Sequence, residues 1–385
     1  MHRRLVTTVY CLLSTSFLFL LSCNPDISQT PPPTLQTALY IYRFNPPALV
    51  EFSEDFQLVR EIPFSIPPHC GLFNIFPAPV GKFMAIELSC PNGQTVLYVD
   101  VVSDAVTQPV TDTDSHFLAW TPDGDSAYLK IDSLGNARVI RAFASTTPTA
   151  PLSATDKQAV IPINEFTYDL LPSLNRGEFT FTFSRGLGQG SELWLAKRDG
   201  DVIEQLYADP YHYISFARSS PDGSQIAFIK IPDSSTPFTV GELWVMDSNG
   251  ANARKLADAD AGHGYAANWS PDGKSIAFVV RENQEDERAN QSGESLISNI
   301  YIIQVESGEL TQFTHLTEGY VETPSWSPDG NTLGFNVVIN GRIEVRIADA
   351  GRVGSRESSD PYRDPTGEIR SLVTESTCCP AWMRK

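Results

Sequence analysis

Ser220-Pro221-Asp222-Gly223-Ser224-Gln225-Ile226-Ala227-Phe228 is the stretch whose reading decides the fold, because the chain repeats it. Ser270-Pro271-Asp272-Gly273 runs into Lys274-Ser275-Ile276-Ala277-Phe278, and Ser327-Pro328-Asp329-Gly330 into Asn331-Thr332-Leu333-Gly334-Phe335. Thr121-Pro122-Asp123-Gly124 precedes Asp125-Ser126-Ala127-Tyr128-Leu129, and weaker copies stand at Ala78-Pro79-Val80-Gly81 and Asn175-Arg176-Gly177. The prolines are spaced by about 43 (Pro79 to Pro122), 50 (Pro221 to Pro271) and 57 residues (Pro271 to Pro328), and the gap of about 99 from Pro122 to Pro221 has room for two units. Proline presets φ at the second turn position, Asp suits the third, and Gly accepts the positive φ that ends the turn. Each copy therefore predicts a tight turn between two strands.

Outward from the turn, Trp120, Trp269 and Trp326 each stand two residues ahead of the proline, in the strand that enters it. The strand that leaves alternates apolar and small residues, as a packed strand does. Third strands follow, such as Glu242-Leu243-Trp244-Val245-Met246 and Leu97-Tyr98-Val99-Asp100, and a fourth is seen in Ala253-Arg254-Lys255-Leu256. Four strands per unit of 40–50 residues predict an all-β fold, a β-propeller of four-stranded antiparallel blades. The motif resembles the TolB-type propeller repeat, a relative of the WD repeat, over roughly residues 70–382. That resemblance implies a fold. It implies little about function, since the repeat serves scaffolds, receptors and enzyme accessory domains.

Closure sets the number of blades. Six full units run from about residue 71 to 374, and the chain then reads Cys378-Cys379-Pro380-Ala381-Trp382, with Trp382 placed as Trp326 is but with no turn after it. At the other end, Ala38–Arg43, Ala48–Phe52 and Leu58–Ile62 read as three strands lacking their first. The C-terminal strand is expected to complete this N-terminal blade, giving seven blades. A six-bladed ring with an irregular N-terminal cap is the alternative.

Residues 1–22 have a basic start at Arg3 and Arg4, an apolar run from Leu5 to Leu21, and Ser22 before Cys23. This is the pattern of a secretory signal, and it resembles the lipobox of bacterial lipoproteins. The resemblance implies cleavage before Cys23, a diacylglycerol on its thiol and an acylated N-terminus, palmitate among the chains. The competing reading, an uncleaved membrane anchor, suffers from the shortness of the apolar run. Residues 23–37 follow as the lipidated Cys and a proline-rich tether, and residues 38–385 as a single propeller domain. The expected location is extracytoplasmic, on the periplasmic face or the cell surface, held to the membrane by lipid.

Of the 385 residues, 41% are hydrophobic and 19% charged, with a formal net charge of −18. The chain can bury a core, and its acidity argues against nucleic acid and anionic headgroups as partners. A monomer that binds a protein or peptide through one propeller face is the leading expectation. The other readings are a metal-dependent enzyme acting on carbohydrate or peptide at the channel mouth, and a purely structural envelope module. Propellers of this type often precede an α/β-hydrolase domain, but no Gly-x-Ser-x-Gly occurs; Gly124-Asp125-Ser126-Ala127-Tyr128 breaks at its last position. No catalytic residue is predicted.

The connections from one blade's fourth strand to the next blade's first share one face. They carry His69, His116, His212, His263 and His315, and the carboxylates Asp112, Asp114, Asp209, Asp258, Asp260, Glu318, Glu322 and Glu375. Several imidazoles there could take a transition metal, as in pectin-fragment lyases that resemble this repeat family, with His116, His212, His263 and His315 the candidates. Uneven spacing from each His to the next turn favours ordinary loop histidines. The carboxylates predict an acidic rim that attracts a cationic segment or holds Ca²⁺. No resident cofactor is predicted. Cys70 and Cys90 are equidistant from residue 80 at the tip of a hairpin, so they are expected to face each other as a disulfide, leaving Cys378 and Cys379 as a vicinal pair or free thiols. A bond from Cys70 to the C-terminal strand is the competing connectivity.

Overall fold

The computed structural model describes residues 37–384 except 80, 109–114, 121–123, 125, 132–136, 143–158, 161–166, 176–177, 188, 198–202, 235, 237, 261–266, 351–369 and 373–375. Cys23, Asp112, Asp114, His263 and Glu375 lie outside the described residues, as do the signal and nearly all of the tether. Among the described residues there are seven four-stranded antiparallel sheets. Their first strands are Gly71–Pro77, Ser115–Trp120, Thr167–Asn175, His212–Ser219, Asn268–Trp269, Tyr320–Trp326 and Thr377–Arg384. Taken in that order, they define blades 1 to 7.

In blade 7 the strand Thr377–Arg384 pairs with Thr37–Phe44, which continues into Pro47–Phe52 and Leu58–Pro63. Leu39 faces Trp382 and Tyr40 faces Ala381, so the two ends of the chain close the ring in one sheet. The first strands of successive blades touch one another around the ring and form its inner wall. Among the described residues, one helix of six residues, Glu287–Ser292, stands in the link between the second and third strands of blade 5. No described helix is long and apolar enough to cross a membrane.

The repeated turn is held by its own side chains. Ser220 Oγ donates to Asp222 Oδ1 (2.6 Å), which also accepts the Ser224 N–H (3.0 Å), while Ser220 Oγ accepts the Gln225 N–H (3.0 Å). Gly223, at φ +69°, closes the turn on the Ser220 carbonyl (2.9 Å). Ser270 with Asp272 and Ser327 with Asp329 repeat the arrangement. The Ser220 hydroxyl and the backbone N–H of Ser224 hold the Asp222 carboxyl below the usual carboxylate range. The weak copy at Ala78 lacks both side chains yet keeps the backbone bond from Ala78 N–H to Phe83 O (3.0 Å). Turns also stack between blades: a Cβ on Gly330 would lie 3.6 Å from the Pro271 ring.

Alternation along each strand sorts side chains into the two gaps beside a blade. Ile86 packs with Tyr40 and Leu49 of blade 7, whereas Ala85, one residue earlier, packs with Phe117 and Tyr128 of blade 2. Ile276 and Phe278 meet Ala227 and Leu243 of blade 4, while Ala277 and Val279 meet Phe335 and Val337 of blade 6. Each fully buried Leu, Ile or Phe of this kind contributes about 1.5–3 kcal/mol.

The tryptophans ahead of the turns cross these gaps. Trp120 Nε1 donates to Phe76 O (2.8 Å), Trp269 to Arg218 O (3.0 Å), Trp326 to Asn268 O (3.1 Å) and Trp382 to Ser325 O (3.1 Å). Each bond runs to the first strand of the preceding blade, and each satisfies a carbonyl that faces no further strand of its own sheet.

Candidate functional site

The inner wall is not a set of regular strands. In six blades the ladder between first and second strand shifts register midway. Where two residues oppose one, as at Phe216-Ala217, Thr323-Pro324 and Cys379-Pro380, the first of them has positive φ: Phe216 at +57°, Thr323 at +47° and Cys379 at +67°. The inner strand is an edge strand, so Pro324 and Pro380 remove no ladder bond that a neighbour needs. These bulges turn side chains toward the centre of the ring.

Asn74 and Ile75 of blade 1, Phe216 and Arg218 of blade 4, Asn268 of blade 5, Thr323 and Ser325 of blade 6, and Cys379, Pro380 and Trp382 of blade 7 line a central cavity of about 440 Å³. The lining mixes amides, hydroxyls and one guanidinium with aromatic and proline faces. Asn268 Nδ2 donates to Pro324 O (2.5 Å), and Cys379 N–H donates to Asn336 Oδ1 (2.9 Å), so polar groups already tie the wall together. The Thr323 hydroxyl is buried without a hydrogen-bond partner among the described residues. Burial raises the Glu322 carboxyl, against the lowering effect of the Asn336 amide.

The expected acidic rim is corrected at two of its members. Asp209 is 7% exposed. It accepts the N–H groups of Tyr211 (2.9 Å) and His212 (3.0 Å) and pairs with the buried Lys230 (2.5 Å). Burial works to raise its carboxyl, but these partners prevail and bring it down to about 2. Asp260 is 2% exposed and faces the equally buried Arg281 at 3.9 Å. Neither can present charge to a partner; each holds together the connection that carries it. Asp258 is exposed but paired with Lys255 (2.7 Å), Glu318 is exposed, and Glu322 is half-buried on the inner strand.

The histidines do not assemble among the described residues. His212 Nδ1 sits 3.0 Å from Asp209 Oδ1 as part of the capped turn, and His315 is exposed. His116 is on the first strand of blade 2 and its side chain is not described. Among the described residues no three His, Cys, Asp or Glu side chains gather as a metal site requires. The sulfurs of Cys70 and Cys90 lie 2.01 Å apart, and those of Cys378 and Cys379 also lie within bonding distance.

Two exposed aromatic residues stand on the face of the inter-blade connections. Phe73 is 61% exposed at the bulge beside Asn74, and Tyr211 is 72% exposed on the turn capped by Asp209. Leu187, 50% exposed, lies on the adjoining turn: a Cβ on Gly190 would sit 2.1 Å from the Asp209 carbonyl, so only glycine, at φ +71°, lets the two turns meet. The sequence held a signal for the bulges that was not used. Thr323-Pro324-Ser325-Trp326 and Cys379-Pro380-Ala381-Trp382 place a proline inside a strand at the same distance from Trp, which marks an irregular edge.

Four-stranded blades whose first and second strands are joined by the Ser-Pro-Asp-Gly turn, with the last blade shared by the two terminal regions, match what the repeat implied. The chain is a β-propeller whose turns resemble the TolB-type repeat. No family model matches it. Among curated proteins, a stretch is 31% identical over 176 residues to the uncharacterized peptidase YuxL of Bacillus subtilis, covering 38% of this chain and 25% of that one. Another stretch is 27% identical over 146 residues to an uncharacterized protein of Agrobacterium fabrum, covering 38% of this chain and 43% of that one. The matched stretches cover less than half the length of these relatives.

Solved structures similar in fold include a prolyl endopeptidase, with a TM-score of 0.59 at 11% identity over 92% of this chain and 50% of that one. An oligogalacturonate lyase of Vibrio parahaemolyticus has a TM-score of 0.52 at 12% identity over 89% of this chain and 85% of that one. TolB of Acinetobacter baumannii has a TM-score of 0.47 at 16% identity over 88% of this chain and 79% of that one, too low to carry an inference by itself. At these identities the likeness is one of fold alone.

Proposed function

We propose that the chain is a cell-envelope lipoprotein, anchored through Cys23, whose propeller binds a protein or peptide partner on the face of the inter-blade connections. The observation that carries this reading is the exposure of Phe73 and Tyr211 (61% and 72%) on that face, in a fold that buries most of its large aromatic rings. Exposed aromatic rings supply the apolar anchors that a binding surface needs. The lipobox-like sequence ending at Cys23 supports the anchor, and Cys23→Ala is expected to release the protein from membranes.

With Asp209 and Asp260 held inside the fold, apolar contact and not an acidic ring is the main source of affinity in this proposal. The test is affinity capture from envelope extracts, with the full-length lipidated protein and a Phe73→Asp/Tyr211→Asp variant as baits. Both positions are exposed, so the variant is expected to keep its fold. At least one protein should be captured by wild type and depleted by about tenfold or more with the variant. Identical capture by both baits sinks the proposed face.

A further inference from the structure

Cys378 and Cys379 stand on the strand that closes the ring, at the bulge that faces the cavity. Their environments differ. Cys378 is 3% exposed and packs in the core between blades 7 and 1, whereas Cys379 is partly exposed and lines the cavity wall beside Pro380. Their sulfurs are bonded to each other. A bridge between adjacent residues closes no loop in the unfolded chain, so it lacks the entropic contribution that a bond such as Cys70–Cys90, with a sequence separation of 20, supplies.

Nor is the bridge needed to make the bulge. Phe216 and Thr323 hold the same positive φ at matching places in blades 4 and 6 with no sulfur present. A staple that neither stabilises a loop nor defines its own backbone, placed where one sulfur meets the cavity, is better suited to chemistry than to architecture.

We propose that Cys378–Cys379 is a thiol–disulfide exchange site that opens into the central cavity and is reduced by a dithiol protein of the thioredoxin class. The reductant's thiolate attacks Sγ of Cys379 from the cavity, and the bond between the two sulfurs breaks. Sγ of Cys378 leaves as a thiolate and takes a proton. The reductant's second thiolate then attacks its own sulfur in the mixed disulfide and releases Cys379. Two electrons and two protons pass from the dithiol to the protein, and the dithiol becomes a disulfide. The ladder of Tyr42 with Cys378 and Tyr40 with Ala381 flanks the bulge on both sides, so the ring stays closed while the wall beside Trp382 and Asn336 loses its constraint.

This proposal stands apart from the partner-binding reading, since it is read out on the protein alone. The full-length protein is isolated with thiols blocked at lysis, then treated with thioredoxin and its reductase, and alkylated. The tryptic peptide 371–384 is quantified beside the peptides carrying Cys70 and Cys90. Peptide 371–384 should be alkylated at under about a tenth at isolation and nearly fully after reduction, with the far-ultraviolet circular dichroism unchanged. The reduced pair should bind phenylarsine oxide in equal proportion, as adjacent thiols do. Tryptophan emission should shift on reduction in wild type and not in Cys378→Ser/Cys379→Ser. Alkylation of both thiols at isolation, or opening only after the protein is unfolded, overturns the proposal; because those readouts use wild type, they stand even if the double variant fails to fold.

Discussion

Replacing Trp326 with Phe should destabilise the propeller by about 2–3 kcal/mol, because the residue is a cross-blade peg. The indole Nε1 donates to the Asn268 carbonyl of the preceding blade at 3.1 Å. A net hydrogen bond is worth about 1 kcal/mol, and an acceptor left without a partner between blades adds about as much again. The smaller ring also leaves space in a packed gap, for a further fraction of a kcal/mol. Trp244 is the internal control. Its Nε1 bonds Glu242 Oε2 (2.8 Å) two residues away on its own strand, and Glu242 keeps Lys255 (2.8 Å) when the indole is gone. Trp244→Phe should therefore cost about 1 kcal/mol or less. The assay is urea unfolding followed by far-ultraviolet circular dichroism, with the two variants compared at equal slope so that the midpoints report stability. If Trp326→Phe costs no more than Trp244→Phe, the tryptophans do not lock the blades and the account of ring closure given above is wrong.

Asp260→Asn should cost about 3 kcal/mol by leaving Arg281 buried without its carboxylate, whereas Asp258→Asn, at an exposed pair, should cost under about 1 kcal/mol; thermal melting separates the two. Burial pushes the Glu87 carboxyl up to about 7 from an ordinary 4.5. The folded state therefore holds a proton that the unfolded state has lost between those values. Stability from this group is complete below about 4.5, falls as pH rises toward 7 and is level above that. Glu87→Gln should remove this slope and gain on the order of 3 kcal/mol over wild type above pH 7, as chemical unfolding across pH 5–8 would show.

What could be read from the sequence follows from where each interaction is local. The turn was legible because its Ser, Asp and Gly satisfy one another within six residues, so the motif recurs at several of the turns, although the Ala78 copy keeps the backbone bond without those side chains. Shared closure was legible because Trp382 stands in its strand as Trp326 does, while the three strands over Ala38–Arg43, Ala48–Phe52 and Leu58–Ile62 read as a blade without its first strand. The first strand of blade 3 was only faintly marked, since Asn175-Arg176-Gly177 has neither the proline nor the aspartate.

The site was harder to read, because its features are pairings across strands. Asp209 and Asp260 end the fourth strands of blades 3 and 4 and look solvated, until the packing of the next blade sets Lys230 and Arg281 against them. The clue was in those cations. Lys230 interrupts Ile229 and Ile231, and Arg281 ends the run Ile276-Ala277-Phe278-Val279-Val280, and a buried cation in an apolar strand requires a carboxylate from elsewhere in the fold. Once those two carboxylates are assigned to Lys230 and Arg281, the exposed rim carboxylates among the described residues are Asp258, paired with Lys255, and Glu318. The exposed apolar groups on that face include Phe73, Leu187 and Tyr211. The proposal of apolar contact over an electrostatic ring rests on these groups and on the two buried pairs.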